Sequence, residues 1–212
     1  MKLYLSSYRV PTPKDLIGLI GKEPKNIKAA FINNAKDYKP PAEYKEKLQE
    51  ARDFFTNIDL EVSLVDLRDF SGPDKLLTEL RQYDLIWGNG GNTFILIYEM
   101  KRSGFDKVIR QLLDEGKVYG GESAGAIVAG TSLRGIEWAD DPSLAKEVIW
   151  DGLTLIDKAV VPHADSPDPV YTERMPKLLE QYKENPDSVV VLNDNEAWVV
   201  DNEVAHKVRN TS

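Results

Sequence analysis

Apolar residues along this chain fall into short, nearly continuous runs separated by longer stretches of helical periodicity. The strand-like runs are KLYLSS (2–7), IKAAFINNA (27–35), LEVSLVDL (60–67), YDLIWGN (83–89), KVYGG (117–121), AVVPH (159–163), SVVVLND (188–194) and AWVVD (197–201). Runs of Val, Ile, Leu and Ala with little polar alternation are expected for strands covered on both faces of a parallel sheet. Between them, 42–57, 74–82, 93–104 and 105–116 carry helical patterns. In the last of these Val108, Ile109, Leu112 and Leu113 form one apolar stripe, and Gly116 stands where a helix cap belongs. The alternation predicts an α/β three-layer sandwich, a mostly parallel central sheet with helices on both faces. The closing segment differs: Asn-Asp-Asn and Asp-Asn between short strands predict a C-terminal antiparallel hairpin. Residues 135–158 are the least regular and predict a surface excursion over the sheet end.

With 212 residues and no low-complexity linker or internal repeat, the chain reads as a single domain over 1–212. A hydrophobic content of 42% and a charged content of 29% are ordinary for a soluble globular protein. No apolar run approaches a membrane span of about 20 residues, and Met1-Lys2 leads into a strand rather than a signal peptide, so the expected location is the cytoplasm. The formal net charge of −8 argues against a nucleic-acid surface. Cysteine is absent, which removes disulfides, thiolate metal sites and cysteine nucleophiles. Two histidines, His163 and His206, bound any histidine-dependent chemistry and supply no metal-ligand spacing, so neither metal nor cofactor is expected.

Three stretches carry candidate chemistry. Gly121-Glu122-Ser123-Ala124-Gly125 matches G-x-S-x-G, with a strand before it and a helix-compatible run after it. Such a turn projects the serine hydroxyl at a helix start, where free N–H groups can stabilise an oxyanion. The bland reading is close helix–sheet packing by small residues. Trp87-Gly88-Asn89-Gly90-Gly91-Asn92-Thr93 closes one strand and opens a helix, at the strand end where α/β sheets place ligands. A glycine turn there exposes N–H groups, or simply ends in Asn92 as helix cap. A dinucleotide cradle is rejected because G-x-G-x-x-G is not matched. The third stretch, Val160-Val161-Pro162-His163-Ala164-Asp165, puts a histidine at a strand end expected on the same edge as Ser123, while His206 sits in a polar tail and reads as solvated.

Taken in order, GNGGNTF, the serine elbow and the strand-end Pro-His resemble the serine peptidases of the α-aspartyl dipeptidase (peptidase E) and cyanophycinase kind, over roughly residues 1–200. The resemblance implies a class I glutamine amidotransferase-like fold with serine in place of the cysteine nucleophile. Ser123 is then the nucleophile and His163 its base, with Gly91 and Ala124 as oxyanion donors by resemblance and by turn position. The third member is Asp194 in LNDNEAW, with Glu196, Glu137, Asp140 and Asp141 as alternatives. The resemblance further implies exopeptidase action on short peptides with an N-terminal aspartate. Arg174 is the candidate partner of that carboxylate, against a surface charge opening a helix, and Asn92 is a candidate for substrate polar groups. Glu122 departs from the bulky aromatic that precedes the nucleophile in the best-known aspartyl dipeptidases. Facing the pocket, it would repel an aspartyl side chain or recruit an amine; facing the other way, it plays no part. Hydrolysis of β-linked aspartyl peptides and a non-catalytic ligand-binding role are the competing readings. The expected partner is a short peptide substrate, with neither nucleic acid nor membrane, and the oligomeric state is left open with a homodimer as one option.

Overall fold

A computed structural model describes residues 1–211. Five strands run parallel at its centre: β1 (Lys2–Ser6), β2 (Lys28–Ile32), β3 (Glu61–Leu64), β4 (Leu85–Gly88) and β5 (Val118–Glu122). The order is β3-β2-β4-β5-β1, extended by β8 (Glu196–Asp201) and β9 (Val204–Arg209), which pair antiparallel beside β1 as the predicted hairpin. β6 (Ala159–Val161) and β7 (Val189–Val191) form a separate, parallel two-stranded sheet. The strand leading to His163 is therefore not part of the central sheet, contrary to the sequence expectation. The run over 188–194 likewise pairs with β6 rather than joining the hairpin. Three-residue strands of Val and Ala carry no sequence signal for which sheet they enter.

Side-chain alternation sends neighbouring strand residues into two apolar layers. Tyr4, Phe31 and Trp87 pack with Leu16 and Leu19 of α1 (Pro13–Ile20) and Phe55 of α2 (Pro41–Thr56). Leu3, Leu5, Ile32, Ile86 and Tyr119 face the opposite layer. That layer holds α3 (Pro73–Leu80), α4 (Thr93–Ser103), α5 (Phe105–Asp114) and the one-turn α6 (Ala124–Ile127), with Val160 and Val161 of β6 and Met175 and Leu178 of α7 (Pro169–Glu180). Gly116, at φ +86° with its N–H bonded to Leu113 O, closes the end of α5 as its position predicts. Residues 135–158 form two short 3-10 turns, Ile136–Trp138 and Pro142–Leu144, and no strand or α-helix. Among the described residues, no helix is long and apolar enough to cross a membrane.

Candidate active site

Ser123 stands at the carboxyl end of β5, beside the carboxyl ends of β1 and β4. The residue has φ +50° and ψ −112°, a backbone conformation that non-glycine residues avoid, and it stands between β5 and α6. The bend is enforced by contact on both sides. A Cβ at Gly121 would lie 2.4 Å from Gly125 C, and one at Gly125 would lie 2.0 Å from Gly88 O. Glycine on each flank lets α6 settle against β4 and β5 while the serine is turned outward. Ser123 N donates to Ser6 O of β1 at 3.1 Å, and Ser123 O receives Ala126 N and Ile127 N, each at 2.9 Å, which starts the helix.

His163 arrives from the small sheet, itself at φ +63°. Its Nε2 lies 2.9 Å from Ser123 Oγ and its Nδ1 lies 2.7 Å from Asp194 Oδ1. This is the hydrogen-bonded order of nucleophile, imidazole and carboxylate that acyl transfer requires. Ser7, just past β1, locks the far end: its hydroxyl donates to Asp194 Oδ1 at 2.8 Å and accepts from His163 N at 2.7 Å. Asp194 N donates to Asp165 Oδ1 at 2.8 Å. Tyr171 covers the imidazole, its ring 4.6 Å away at 36°, and burial pushes its phenol up to about 12, so it stays neutral. Neither Ser7 nor Tyr171 stood out in the sequence. The only signal for Ser7 was its place at the end of the first strand.

The other acidic candidates occupy different posts. Glu196 is buried and takes up Arg209 and Lys207 of β9 together with Asn193 N, clamping the hairpin to the turn that carries Asp194. Glu137 is exposed and accepts from Gly135 N. Asp141 caps the turn at 142–144 through Ser143 N. Asp140 lines the same cleft as Ser123 and His163, but its Oδ2 receives Thr93 N at 2.8 Å and Thr93 Oγ1 at 2.5 Å, anchoring the start of α4. Burial raises its pKa above the ordinary carboxylate value, and the Thr93 bonds oppose that shift. His206 lies exposed on β9.

Among the described residues the amides of Gly91 and Ala124 meet no acceptor, the condition an oxyanion donor satisfies in a free site. Gly90 presses on the serine, since a Cβ there would come 3.2 Å from Ser123 Cβ. Asn92 is the cap of α4: its Oδ1 receives Ile95 N at 3.0 Å and its Nδ2 donates to Asp141 O at 2.9 Å. The amide expected to meet substrate is thus engaged at both ends by the protein.

Ser123 opens onto a cleft bounded by His163, Asp140, Tyr171 and Arg174, with Ile127, Ile136, Trp138 and Met175 as apolar wall. Arg174 is exposed, and its guanidinium has no hydrogen-bond or ion-pair partner among the described residues. Glu122 does not enter this cleft. Glu122, the last residue of β5, turns into a second cleft behind the elbow, where it accepts Arg9 N and lies with Lys36, Asn89 and Phe54. Of the two orientations open to Glu122, this is the one facing away from the cleft onto which Ser123 opens. Among the described residues no group of three or more His, Asp or Glu side chains is arranged to hold a metal ion.

An α/β sandwich with a strained serine elbow facing a histidine–aspartate pair defines a protein of serine-hydrolase architecture. Sequence comparison makes this specific: the chain belongs to peptidase family S51, whose family model matches residues 6–208. An uncharacterized peptidase of Listeria innocua is 34% identical over 139 residues, covering 65% of each chain. A peptidase E of Shewanella amazonensis is 34% identical over 87 residues, covering 41% of this chain and 35% of the relative. The chain thus spans less than two thirds of these curated relatives. A crystal structure of a Listeria monocytogenes EGD-e protein that carries the peptidase E name superposes with a TM-score of 0.83 at 25% identity, covering 98% of both chains.

Proposed function

We propose that this chain is a serine exopeptidase that hydrolyses short peptides, with an N-terminal aspartate as the preferred residue. The observation that carries the proposal is the continuous chain Ser123 Oγ–His163 Nε2 at 2.9 Å and His163 Nδ1–Asp194 Oδ1 at 2.7 Å. As Ser123 Oγ attacks the scissile carbonyl carbon, its proton passes to His163 Nε2. Asp194 accepts a hydrogen bond from Nδ1–H, which keeps the correct tautomer and stabilises the imidazolium without taking the proton. The carbonyl oxygen becomes an oxyanion in front of the Gly91 and Ala124 amides. On collapse the C–N bond breaks, and the leaving amine takes the proton from His163. Water, deprotonated by the same imidazole, then attacks the acyl ester and frees the serine.

Aspartate preference is supported by an unpaired guanidinium, Arg174, on the wall of the serine's own cleft. An arginine fork matches a carboxylate in two-point geometry. The membership in family S51 and the peptidase E relatives point the same way. The test is a panel of α- and β-aspartyl dipeptides beside Ala-Xaa controls, run on the wild type, Ser123→Ala and His163→Ala. Turnover of α-aspartyl dipeptides is expected to fall by at least roughly 10⁴-fold in each variant. Normal turnover in either variant rejects the pair. Turnover confined to the β-linked peptides would move the protein to the cyanophycinase kind of substrate.

A further inference from the structure

The second cleft, behind the elbow, holds a charged group that the hydrolytic chemistry has not used. Lys36 lies in the 3-10 turn Asn34–Lys36 that follows β2, and its Nζ donates to Gly90 O. Its side chain lines the rear cleft together with Glu122, Asn89 and Arg9. The carbonyl it grips belongs to the same peptide unit as the Gly91 N–H. In a planar trans peptide the C=O and N–H point in opposite directions, so fixing one fixes the other.

We propose that Lys36 is a positioning residue for the oxyanion site: it holds the Gly90–Gly91 peptide from behind, so that the Gly91 N–H is presented on the Ser123 side. This rests on the serine-hydrolase reading above and extends it. The rest of the turn cannot perform the task. Asn89 N bonds to Ile32 O at 2.9 Å, Asn89 Nδ2 to Asn33 Oδ1 at 2.6 Å, and Asn92 N to Ala35 O at 2.8 Å. These tie down the two ends of the 89–92 turn and leave the plane of the central peptide free to rotate. Two glycines there remove the side-chain barrier to such a rotation. Gly91, at φ +144°, is also confined against the lysine's own turn, where a Cβ would lie 2.5 Å from Ala35 O. Among the described residues, the grip on Gly90 O is the bond that selects the orientation. A rotated peptide would put a carbonyl oxygen where the oxyanion must form.

Burial lowers the Lys36 pKa while the charge of Glu122 opposes that shift. Because an amine donates in either protonation state, the grip survives deprotonation. A cation on the carbonyl additionally polarises the amide and strengthens the N–H as a donor.

The discriminating variants are Lys36→Met, which keeps length without a donor, and Lys36→Arg, which restores one. Three readouts are needed: kcat and KM on the preferred dipeptide, the rate at which a fluorophosphonate probe labels Ser123, and the melting temperature. Lys36→Met is expected to lower kcat and the labelling rate together by about 10- to 100-fold, part of what removing an oxyanion donor costs, with KM within about threefold. Lys36→Arg is expected to recover most of both at an unchanged melting temperature. Unchanged kcat and labelling in Lys36→Met would overturn the assignment. So would equal losses in both variants with a lowered melting temperature, which mark a structural role. If wild-type protein is labelled but cleaves no dipeptide of the panel, the substrate reading fails and the labelling comparison still decides Lys36. If it is not even labelled, both readings fall.

Discussion

Asp194 and Asp140 both lie near His163, and their surroundings separate their roles. Asp194 meets Nδ1 directly, whereas both contacts of Asp140 Oδ2 go to Thr93. An amide at 194 would donate to Nδ1, force its lone pair inward and leave Nε2 protonated, unable to accept from the serine. Asp194→Asn is therefore expected to reduce kcat by about 10³- to 10⁴-fold in a folded protein. Asp140→Asn, which leaves the imidazole contact intact, should cost less. Steady-state kinetics on the two variants check this; a larger loss in Asp140→Asn would reassign the acid. At this scale the sequence was partly informative. Ser123 was legible because a strand, two glycines and a helix start converge on it, and His163 because the chain has only two histidines. Ser7 was not, since its partner His163 is 156 positions away and nothing local marks the contact.

Among the elements, α6 is the least autonomous. Its four residues, Ala-Gly-Ala-Ile, cannot form an isolated helix, and what holds them is close contact with β4 and β5. Gly125 is where that contact is tightest, its Cβ position being 2.0 Å from the backbone oxygen of Gly88. Gly125→Ala must push helix from strand and is expected to destabilise the fold by about 1–3 kcal/mol or more. It should also slow labelling of Ser123, because the elbow shifts with the helix. Chemical denaturation and probe kinetics on the same sample test both effects, and a variant with wild-type stability would refute the packing argument. Elements with long patterns, such as α5 with its apolar stripe, were readable from sequence. The assignment of β6 and β7 was not, because three apolar residues suit either sheet.

For the whole molecule, the strand-end turns are joined by polar bonds as well as by the apolar layers. Asp66 ties two of them, receiving Asn34 Nδ2, Arg68 N and Arg68 Nε, each at 2.9 Å. Burial alone would raise its pKa, but the hydrogen bonds from Arg68 and Asn34 prevail and hold it at about 2, below the ordinary 3.8. The folded state thus binds the proton more weakly than the unfolded chain. Its contribution is fully present above about pH 4 and is lost as the pH falls towards 2. Asp66→Asn is expected to flatten the decline of melting temperature over that interval. An unchanged acid limb would show that other carboxylates govern it. That the chain folds as parallel layers was legible from its apolar runs, whereas this joining of distant turns was not, because polar residues at strand ends look alike in sequence.

Ser123 follows the large sheet and His163 the small one, so under the proposed chemistry the reacting pair straddles the seam between them. Ser7 stitches that seam at the site, one hydroxyl from the large sheet fastening both His163 and Asp194. Slippage along such a joint by a fraction of an ångström would leave every strand and helix intact and still silence turnover, so damage to this protein can be invisible to any measure of folding.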